Sequence, residues 1–503
     1  MKKGKICVSV CAETAEETLR QIRGAEAFAD VIEVRVDCVR SDDPVKLATE
    51  IYSDKPILIT FRPSSQGGQG PSELSIRQEF WNTLAAGNFA AKEIWFDHEY
   101  DLTGIPRAQN TLSIRSFHDF RGVPENLDEI FSRLSANDEI AKIAVQTDDI
   151  TDAIPVWKLL AKAKAENKPL IPIAMGDGGK WTRILGPAFG SFMTFAALES
   201  GSETAPGQIT ASDMIDVFRV KELNENVDIY GIIAGDTSYS SSPFMHNAAF
   251  KAEKMNAVFL PLQVRDLGDF IGRMVKPETR EIELAFRGFS VTNPHKQAII
   301  EYLDFIDETA EKIGAVNTVR VEKGKLYGYN TDAYGFMAPL KVLFGDLSGA
   351  NVAVAGAGGA ARACIYALQQ EGANVALLVR NVRKAQSLAD EFNVRIEPLT
   401  LGQSPMATSF DILVNATPLG TKGALQNQTI ALSDQLGATK LVYDLIYNPS
   451  ETRLIHEAKT AGIETLGGME MLIAQGVKQF EIWTGKEAPV DSMAAAVRKR
   501  LQL

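Results

Sequence analysis

NVAVAGAGGAARACIYAL (residues 351–368) is an apolar run that enters a Gly/Ala-rich turn and leaves it as a helical pattern. Gly356, Gly358 and Ala361 fit G-x-G-x-x-A at that turn. Glycine there lets backbone N–H groups approach a pyrophosphate, aided by the helix N-terminus. Such turns also serve simply to pack a helix on a strand, but the strand–turn–helix context favours dinucleotide binding. The next strand pattern, NVALLVR (374–380), ends without the acid that would accept bonds from a ribose 2′-hydroxyl; Arg380, Arg383 and Lys384 follow instead. Basic side chains attract a 2′-phosphate, and at about 1.5–3 kcal/mol per charge-assisted contact the expected preference for NADP is about 10–100-fold.

Outward from this segment, 503 residues are too many for one core and suggest about three domains. Hydrophobic residues at 45% and charged ones at 23% give an ordinary globular balance. A formal net charge of −12 argues against a nucleic-acid or anionic-membrane surface. No apolar run approaches the ~20 residues that cross a bilayer. The start, MKKGKICVSV, has neither a secretory h-region nor an Arg/Ser-rich transit pattern, so a cytoplasmic protein is expected. Cys7, Cys11, Cys38 and Cys364 are too few for a disulfide framework and lack zinc spacing, so they are expected as buried free thiols. Five scattered histidines argue against a metal cage, and no metal is expected.

Up to about residue 218, β-rich runs alternate with helical patterns: ICVSV (6–10), VIEVRV (31–36), PILITF (56–61), EIWFD (93–97), TLSIR (111–115), AKIAV (141–145), LIPIAM (170–175) and SFMTFA (191–196). About eight strand–helix units fit a (β/α)8 barrel. Glu33, Arg35, Arg62, Glu99, His118, Lys142 and Arg183 recur in or just after these runs, and a barrel gathers such residues on one face. Each alone reads as a solvated charge; their recurrence does not. Lys142 lies among Ala141, Ile143, Ala144 and Val145, which suggests a desolvated amine able to form an imine with a ketone. An iminium acidifies the neighbouring carbon, so a base is needed; His118 is the local candidate, and Glu99 could hold its tautomer.

RVKELNENV (219–227) reads as a linker. Beyond it, SYSSSPFMHN (238–247) places hydroxyls before a helix start, while FSVTNPHK (289–296), AVNTV (315–319) and YNTDAYG (329–335) add Lys296, Asn317 and Asp332. Two amphipathic patterns, MEMLIAQGVKQFEIW and SMAAAVRKRLQL, close the chain.

EVRVD (33–37), DHE (97–99), SFHDF (116–120), AKIAV, MGDGGKWTRILGPAFGSFMTF (175–195) and TAPGQ (204–208) together resemble type I 3-dehydroquinate dehydratase over about the first 220 residues. The resemblance implies a metal-free syn dehydration of 3-dehydroquinate to 3-dehydroshikimate. It implies an imine on Lys142, proton shuttling by His118 and orientation of His118 by Glu99. Arg183 would grip the substrate carboxylate, with Glu33, Arg35, Arg62 and Gln208 around the ring hydroxyls. Thr204 stands where the family usually has Ser and keeps the hydroxyl.

The second set of motifs, with NATPLGT (415–421), DLIYNPSET (444–452) and GMEMLIAQ (468–475), resembles shikimate dehydrogenase over residues 228–503. This implies that Ser240 and Ser242 hold a carboxylate, that Thr292, Asn317 and Gln475 hold ring hydroxyls, and that Lys296 and Asp332 form the catalytic pair. Tyr447, Gly468 and Met471 would lie where nicotinamide meets substrate, and Gly356, Gly358, Gly359, Ala361, Arg380, Lys384 and Thr417 along NADP(H). Tyr239, Ser290 and the Val379-Arg380-Asn381 run depart from the family's frequent His, Asn and Asn-Arg-Thr. Ser242 and Thr292 lean toward shikimate over quinate.

The expected organisation is a barrel over 1–218, a linker over 219–227, a substrate domain over 228–335 completed by helices within 470–503, and a Rossmann-like NADP domain over 336–469. A metabolite sensor that lost turnover is the rival reading. Lys142, His118, Lys296 and Asp332 are all present, and no DNA-binding segment is evident.

Overall fold

The computed structural model describes residues 4–106, 111–136, 139–399 and 410–503. These fall into two compact units, one of residues up to Asp228 with Gly235–Ser238 and Asn256–Ala285, the other of Ile229–Ala234, Tyr239–Met255 and Phe286–Leu503.

In the first unit, eight strands form one parallel sheet: β1 (Lys5–Val10), β2 (Val31–Arg35), β3 (Ile57–Thr60), β4 (Ile94–Glu99), β5 (Leu112–Asp119), β6 (Ile140–Gln146), β7 (Leu170–Met175) and β8 (Met193–Ala197). Their order, β7-β6-β5-β4-β3-β2-β1-β8, runs around a nearly closed barrel. Phe192 N donates to Leu170 O at 2.8 Å, which brings the two ends of the run together.

Side chains alternate across each strand, and the alternation sorts this barrel into layers. Val31, Leu58, Trp95, Ile114, Ile140, Ile171 and Met193 belong to one apolar cluster inside it. Two residues further along their strands come Glu33, Thr60, Asp97, Ser116 and Lys142, all buried. The register sets Thr60 beside Asp97 and Ser116 beside Lys142. Ala141, Ile143 and Val145 face the other way, against Phe131, Leu134, Val156 and Leu159 of the helices Leu127–Leu134 and Ile154–Ala165. Of the aliphatic neighbours of Lys142 in sequence, Ala144 alone lines the same cavity.

A further expectation is corrected: Cys11 and Cys38 form a disulfide across 27 residues, with a Cα–Cα distance of 5.5 Å, while Cys7 and Cys364 are the buried free thiols. The 219–227 segment has no helix or strand; Arg219, Val220, Leu223 and Val227 are buried, and Arg219 Nη2 donates to Ala257 O at 2.7 Å.

In the second unit, β9 (Asp228–Ala234), β11 (Phe286–Val291), β13 (Thr318–Glu322), β14 (Lys325–Tyr329) and β12 (Phe305–Ile306) lie side by side in that order; β10 (Ala257–Gln263) is counted with the first unit. A second sheet is wholly parallel, with β15 (Asn351–Ala355), β16 (Asn374–Val379), β17 (Arg395–Pro398), β18 (Ile412–Asn415), β19 (Leu441–Asp444) and β20 (Glu464–Leu466) arranged 17-16-15-18-19-20. The order reverses beside β15, where open α/β sheets bind ligands at the carboxyl ends of their strands. Between the sheets in sequence, the helix Asp332–Phe344 packs on the helix Gly468–Thr484. A Cβ on Gly335 would lie 2.6 Å from Gln475 Cβ, so only glycine permits that approach. Among the described residues no helix is long and apolar enough to cross a membrane.

Candidate active sites

At the carboxyl end of the barrel, Glu33, Arg35, Arg62, His118, Lys142, Arg183, Thr204 and Gln208 line one cavity. Of the barrel residues expected there, Glu99 is the exception. Lys142 Nζ donates to Asp97 Oδ2 at 2.8 Å, lies 3.7 Å from Glu33 Oε1 and sits 4.0 Å from the centre of the Phe195 ring. The amine is thus buried, as its sequence neighbours suggested, and ion-paired. Glu33 is fixed by Ser9 Oγ at 2.6 Å and Thr60 Oγ1 at 2.9 Å.

Asp97 also pairs with Arg62 Nη2 at 2.7 Å. Burial alone would raise its pKa, but Arg62, Lys142 and His118 outweigh burial and hold it below the usual carboxylate range. Sequence reading missed Asp97; its place two residues before Glu99 on the same strand was the signal available. Glu99 makes no bond to His118. It accepts from Arg62 Nη1 at 3.3 Å and Arg77 Nη1 at 3.5 Å, and burial pushes it up to about 7 in spite of those arginines. His118 is pushed well below its ordinary value by burial, then by Arg62 and Lys142, so it is neutral at neutral pH. A neutral imidazole has a free lone pair with which to act as a base.

Arg183 has no carboxylate partner among the described residues. It is 1% exposed, its Nη2 donates only to Pro206 O at 3.1 Å, and its buried Nε finds no acceptor. Burial lowers its pKa to about 10. A buried guanidinium without a counter-ion is poised for an incoming anion. Arg35, by contrast, is neutralised in a fork with Asp37 at 2.9 and 2.7 Å. Gln208 and Thr204 hold each other, Thr204 N donating to Gln208 Oε1 at 2.8 Å.

In the second unit, Lys296 Nζ meets Asp332 Oδ2 at 2.5 Å. Asp332 opens its helix with its N–H on Asn330 Oδ1 at 3.0 Å, and its other oxygen accepts from Asn317 Nδ2 at 2.8 Å. Sequence motifs far apart in the chain thus converge on one lysine–carboxylate–amide cluster. Ser240 Oγ accepts from Ser242 N at 3.2 Å at the start of the helix Ser242–Ala252. No direct bond joins Ser240, Ser242, Thr292, Tyr447 or Gln475 to the Lys296 pair; Gln475 Nε2 donates to Leu472 O of its own helix at 2.9 Å. Burial pushes the Tyr447 phenol up to about 12, so it is protonated. Unforeseen was a buried network in which Gln479 Oε1 accepts from Ser290 Oγ at 2.7 Å while its Nε2 donates to Asn317 O at 3.2 Å. Ser290 is one of the residues that depart from the family's frequent pattern.

The turn after β15 has the shape of a phosphate cradle. Gly356 takes φ +120, and a Cβ there would sit 2.7 Å from Ala416 O. Gly358 precedes the helix Gly359–Gln370, and nothing lies within 4 Å of a Cβ built on it. A Cβ on Gly359 would lie 3.0 Å from Lys296 Cδ, which puts this turn directly beside the lysine of that cluster. A Cβ on Gly468 would lie 2.1 Å from Leu445 O. Arg380, Arg383 and Lys384 are exposed after β16, and the Asn381 side chain caps the following helix through Lys384 N at 3.0 Å. Thr417 is held to Asn415 Oδ1 at 2.7 Å, and Asn415 in turn to Asp444 at 2.9 Å. Among the described residues, no group of three or more His, Cys, Asp or Glu could hold a metal ion.

Comparison with known proteins matches the type I 3-dehydroquinase family over residues 6–225. The shikimate dehydrogenase substrate binding domain matches over 232–319, shikimate/quinate 5-dehydrogenase over 340–445 and the shikimate 5′-dehydrogenase C-terminal domain over 468–498. The chloroplastic bifunctional 3-dehydroquinate dehydratase/shikimate dehydrogenase of Arabidopsis thaliana is 32% identical over 509 residues, spanning 96% of this chain and 82% of that protein. The shikimate dehydrogenase (NADP(+)) of Shouchella clausii is 41% identical over 54% of this chain and 98% of its own length. A solved shikimate dehydrogenase in complex with NADP+ superposes with a TM-score of 0.50 at 36% identity, covering 56% of this chain and 97% of that one.

Proposed function

Because the chain belongs to the family of bifunctional 3-dehydroquinate dehydratase/shikimate dehydrogenases, we propose that its two clusters divide the chemistry between them, Lys142 with His118 in one and Lys296 with Asp332 in the other. The chain dehydrates 3-dehydroquinate to 3-dehydroshikimate and reduces that ketone to shikimate with NADPH. The product of one half is the substrate of the other.

In the barrel, Arg183 takes the substrate carboxylate and so fixes the ring over Lys142. The amine hands its proton on, neutral His118 being the base at hand, and adds to the ketone carbon. The imidazolium returns that proton to the carbinolamine hydroxyl, which leaves as water, so a protonated imine forms and His118 is neutral again. His118 then removes a proton from the adjacent ring carbon, and the electron pair flows into the iminium. The hydroxyl one carbon further departs as water with that proton. A second water hydrolyses the imine, returning the Lys142 amine and releasing an enone. The net change is loss of one water. Asp97 and Glu33 stabilise the cationic nitrogen, while Arg35, Arg62, Thr204 and Gln208 meet the ring hydroxyls.

The glycine cradle and the exposed Arg380 fit a 2′-phosphorylated dinucleotide, with Lys384 and Thr417 beside it. When bound, NADPH supplies the hydride. Lys296 donates to the ketone oxygen and delivers its proton, Asp332 holds the ammonium in place, and Asn317 fixes Asp332. Ser240 and Ser242 hold the carboxylate, Thr292 and Gln475 the ring hydroxyls, and Tyr447, Gly468 and Met471 shape the nicotinamide end. We further assign 1–218 to the dehydratase, 228–335 with the closing helices to the substrate domain, and 336–469 to the NADP domain. Cytoplasmic residence is part of this reading. The Cys11–Cys38 disulfide runs against it, and fractionation of the source cell decides.

The observation that carries the dehydratase reading is Arg183, a buried cation with no carboxylate partner among the described residues, lining the cavity that holds an amine and a neutral imidazole. Borohydride added with dehydroquinate is expected to trap an adduct on Lys142. Retained turnover with Lys142 unmodified would remove the assignment.

A further inference from the structure

The Asn317 amide meets Asp332 with its nitrogen, and the buried side chains around it decide that orientation. Asn317 Nδ2 donates to Asp332 Oδ1 at 2.8 Å, so the carboxylate that holds Lys296 takes a donor on each oxygen. Turned over, the same amide would set its oxygen against a carboxylate oxygen. Asn317 Oδ1 accepts from Thr331 N at 2.8 Å and from Thr318 Oγ1 at 2.8 Å. The first donor is backbone and fixed. The second is a hydroxyl, which rotates to suit its surroundings.

A chain of buried bonds from the helix Gly468–Thr484 turns that hydroxyl. Gln479 Nε2 donates to Thr318 Oγ1 at 3.0 Å and to Asn317 O at 3.2 Å. A backbone carbonyl only accepts, so the nitrogen of Gln479 has to face this side, and both of its N–H groups are used here. Its oxygen accepts from Ser290 Oγ at 2.7 Å and lies 3.2 Å from His246 Nε2. Burial pushes His246 down to about 3, so the ring is neutral, and an amide oxygen opposite selects the tautomer with hydrogen on Nε2. The antiparallel register sets Ser290 directly across from Thr318, so β11 and β13 present both hydroxyls to Gln479. Thr318 Oγ1 also lies 3.2 Å from Thr331 Oγ1, but that hydroxyl already accepts from Asn317 Nδ2 at 2.9 Å. The Thr318 proton therefore goes to the nearer Asn317 Oδ1. Thr318, Asn317, Gln479 and His246 are each at most 2% exposed, so a donor lost here leaves its partner desolvated and unpaired.

We propose that Thr318 is a positioning residue of the dehydrogenase: its hydroxyl, turned by Gln479, locks the Asn317 amide with its nitrogen on Asp332 and so holds Asp332 on Lys296. The inference rests on the reading of Lys296 and Asp332 given above. Thr318 is itself 0% exposed and acts through Asn317.

The test compares the full chain with Thr318→Val, which keeps the shape and removes the hydroxyl, and Thr318→Ser, which keeps the hydroxyl and loses a methyl. The readouts are NADPH affinity and stoichiometry by fluorescence titration, dehydrogenase kcat with 3-dehydroshikimate, and dehydratase turnover as an internal control. Thr318→Val is expected to bind NADPH with wild-type affinity and full stoichiometry, to keep dehydratase turnover and to lose about 10-fold in dehydrogenase kcat. Thr318→Ser is expected to keep most of kcat. Wild-type kcat in Thr318→Val, a kcat that falls only in step with the fraction of chains binding NADPH, or a Thr318→Ser chain as slow as Thr318→Val overturns the proposal. If Thr318→Val binds no NADPH because the unit fails to fold, Thr318→Cys, whose thiol is a weak donor, is judged in its place. It is expected to be slower than Thr318→Ser at full NADPH binding, and equal rates overturn the proposal. A wild-type chain that binds NADPH but reduces no 3-dehydroshikimate overturns the underlying reading instead.

Discussion

Replacing Arg183 by Met is expected to make the barrel more stable and the dehydratase nearly inactive. Burial, with no acid nearby, holds this guanidinium at about 10 against an ordinary 12.5. Its folded-state pKa is depressed, so the charged form is disfavoured on folding. That penalty is present in full below pH 10 and fades only as pH rises through 10 toward 12.5. At about 1.4 kcal/mol per pH unit, the folded chain carries about 3 kcal/mol of it at neutral pH. Methionine nearly fills the volume, brings no charge and gives up one bond to Pro206 O, about 1 kcal/mol. The net gain is about 2 kcal/mol, or about 4–8 °C in the midpoint of a barrel of this size. The same residue is the anion's partner. Losing a forked, desolvated guanidinium–carboxylate contact removes about 3–4 kcal/mol of substrate binding, about 100- to 1,000-fold in kcat/KM for dehydroquinate. Calorimetry with and without a cyclic hydroxycarboxylate separates the two effects, because the ligand should raise the wild-type midpoint and leave that of Arg183→Met unmoved. A variant that melts lower than wild type while retaining kcat/KM refutes the idea of a cation kept at a cost for its ligand.

Glu99, with its pKa at about 7 in the fold, titrates in the opposite sense from an ordinary salt-bridged acid. Below about pH 4.5 both states are protonated; above it the unfolded chain ionises first, so stability falls up to about pH 7 and then levels. Glu99→Gln should therefore match wild type near pH 4.5 and exceed it by about 2–3 kcal/mol at pH 8, and a pH-independent difference in denaturant midpoints would contradict this. The Cys11–Cys38 link closes 27 residues, so Cys11→Ser should cost the barrel about 3–4 kcal/mol and leave dehydrogenase activity unaltered. An unchanged barrel midpoint under non-reducing conditions would argue that the thiols are not joined. Arg380→Ala should raise KM for NADPH about 10–100-fold and barely affect NADH; equal effects on both would remove the 2′-phosphate role.

Much of this was legible because both folds write their geometry into short periods. The eight apolar runs of the barrel all became strands within a few residues of their expected ends, and the turn after β15 stands beside the point where its sheet's strand order reverses. What failed did so for definite reasons. Ala141, Ile143 and Val145 point to the opposite face of β6, so adjacency in sequence misrepresented the surroundings of Lys142; Asp97, two strands away on β4, was the partner. Glu99 alternates inward as expected, but two arginines claim it before His118 can. The Cys11–Cys38 pairing depends on how the ends of β1 and β2 are brought together, which no spacing rule encodes. Polar composition marked 219–227 as a linker but not its burial, which its few apolar residues, Val220, Leu223 and Val227, supply.

The most direct test is one vessel holding this chain, 3-dehydroquinate and NADPH. The expected outcome is one NADPH consumed per shikimate formed, with Lys142→Met blocking that sequence yet still reducing added 3-dehydroshikimate at the wild-type rate. Shikimate formed from dehydroquinate by the Lys142→Met chain, or none formed by the wild type, would contradict the division of labour between Lys142 and Lys296.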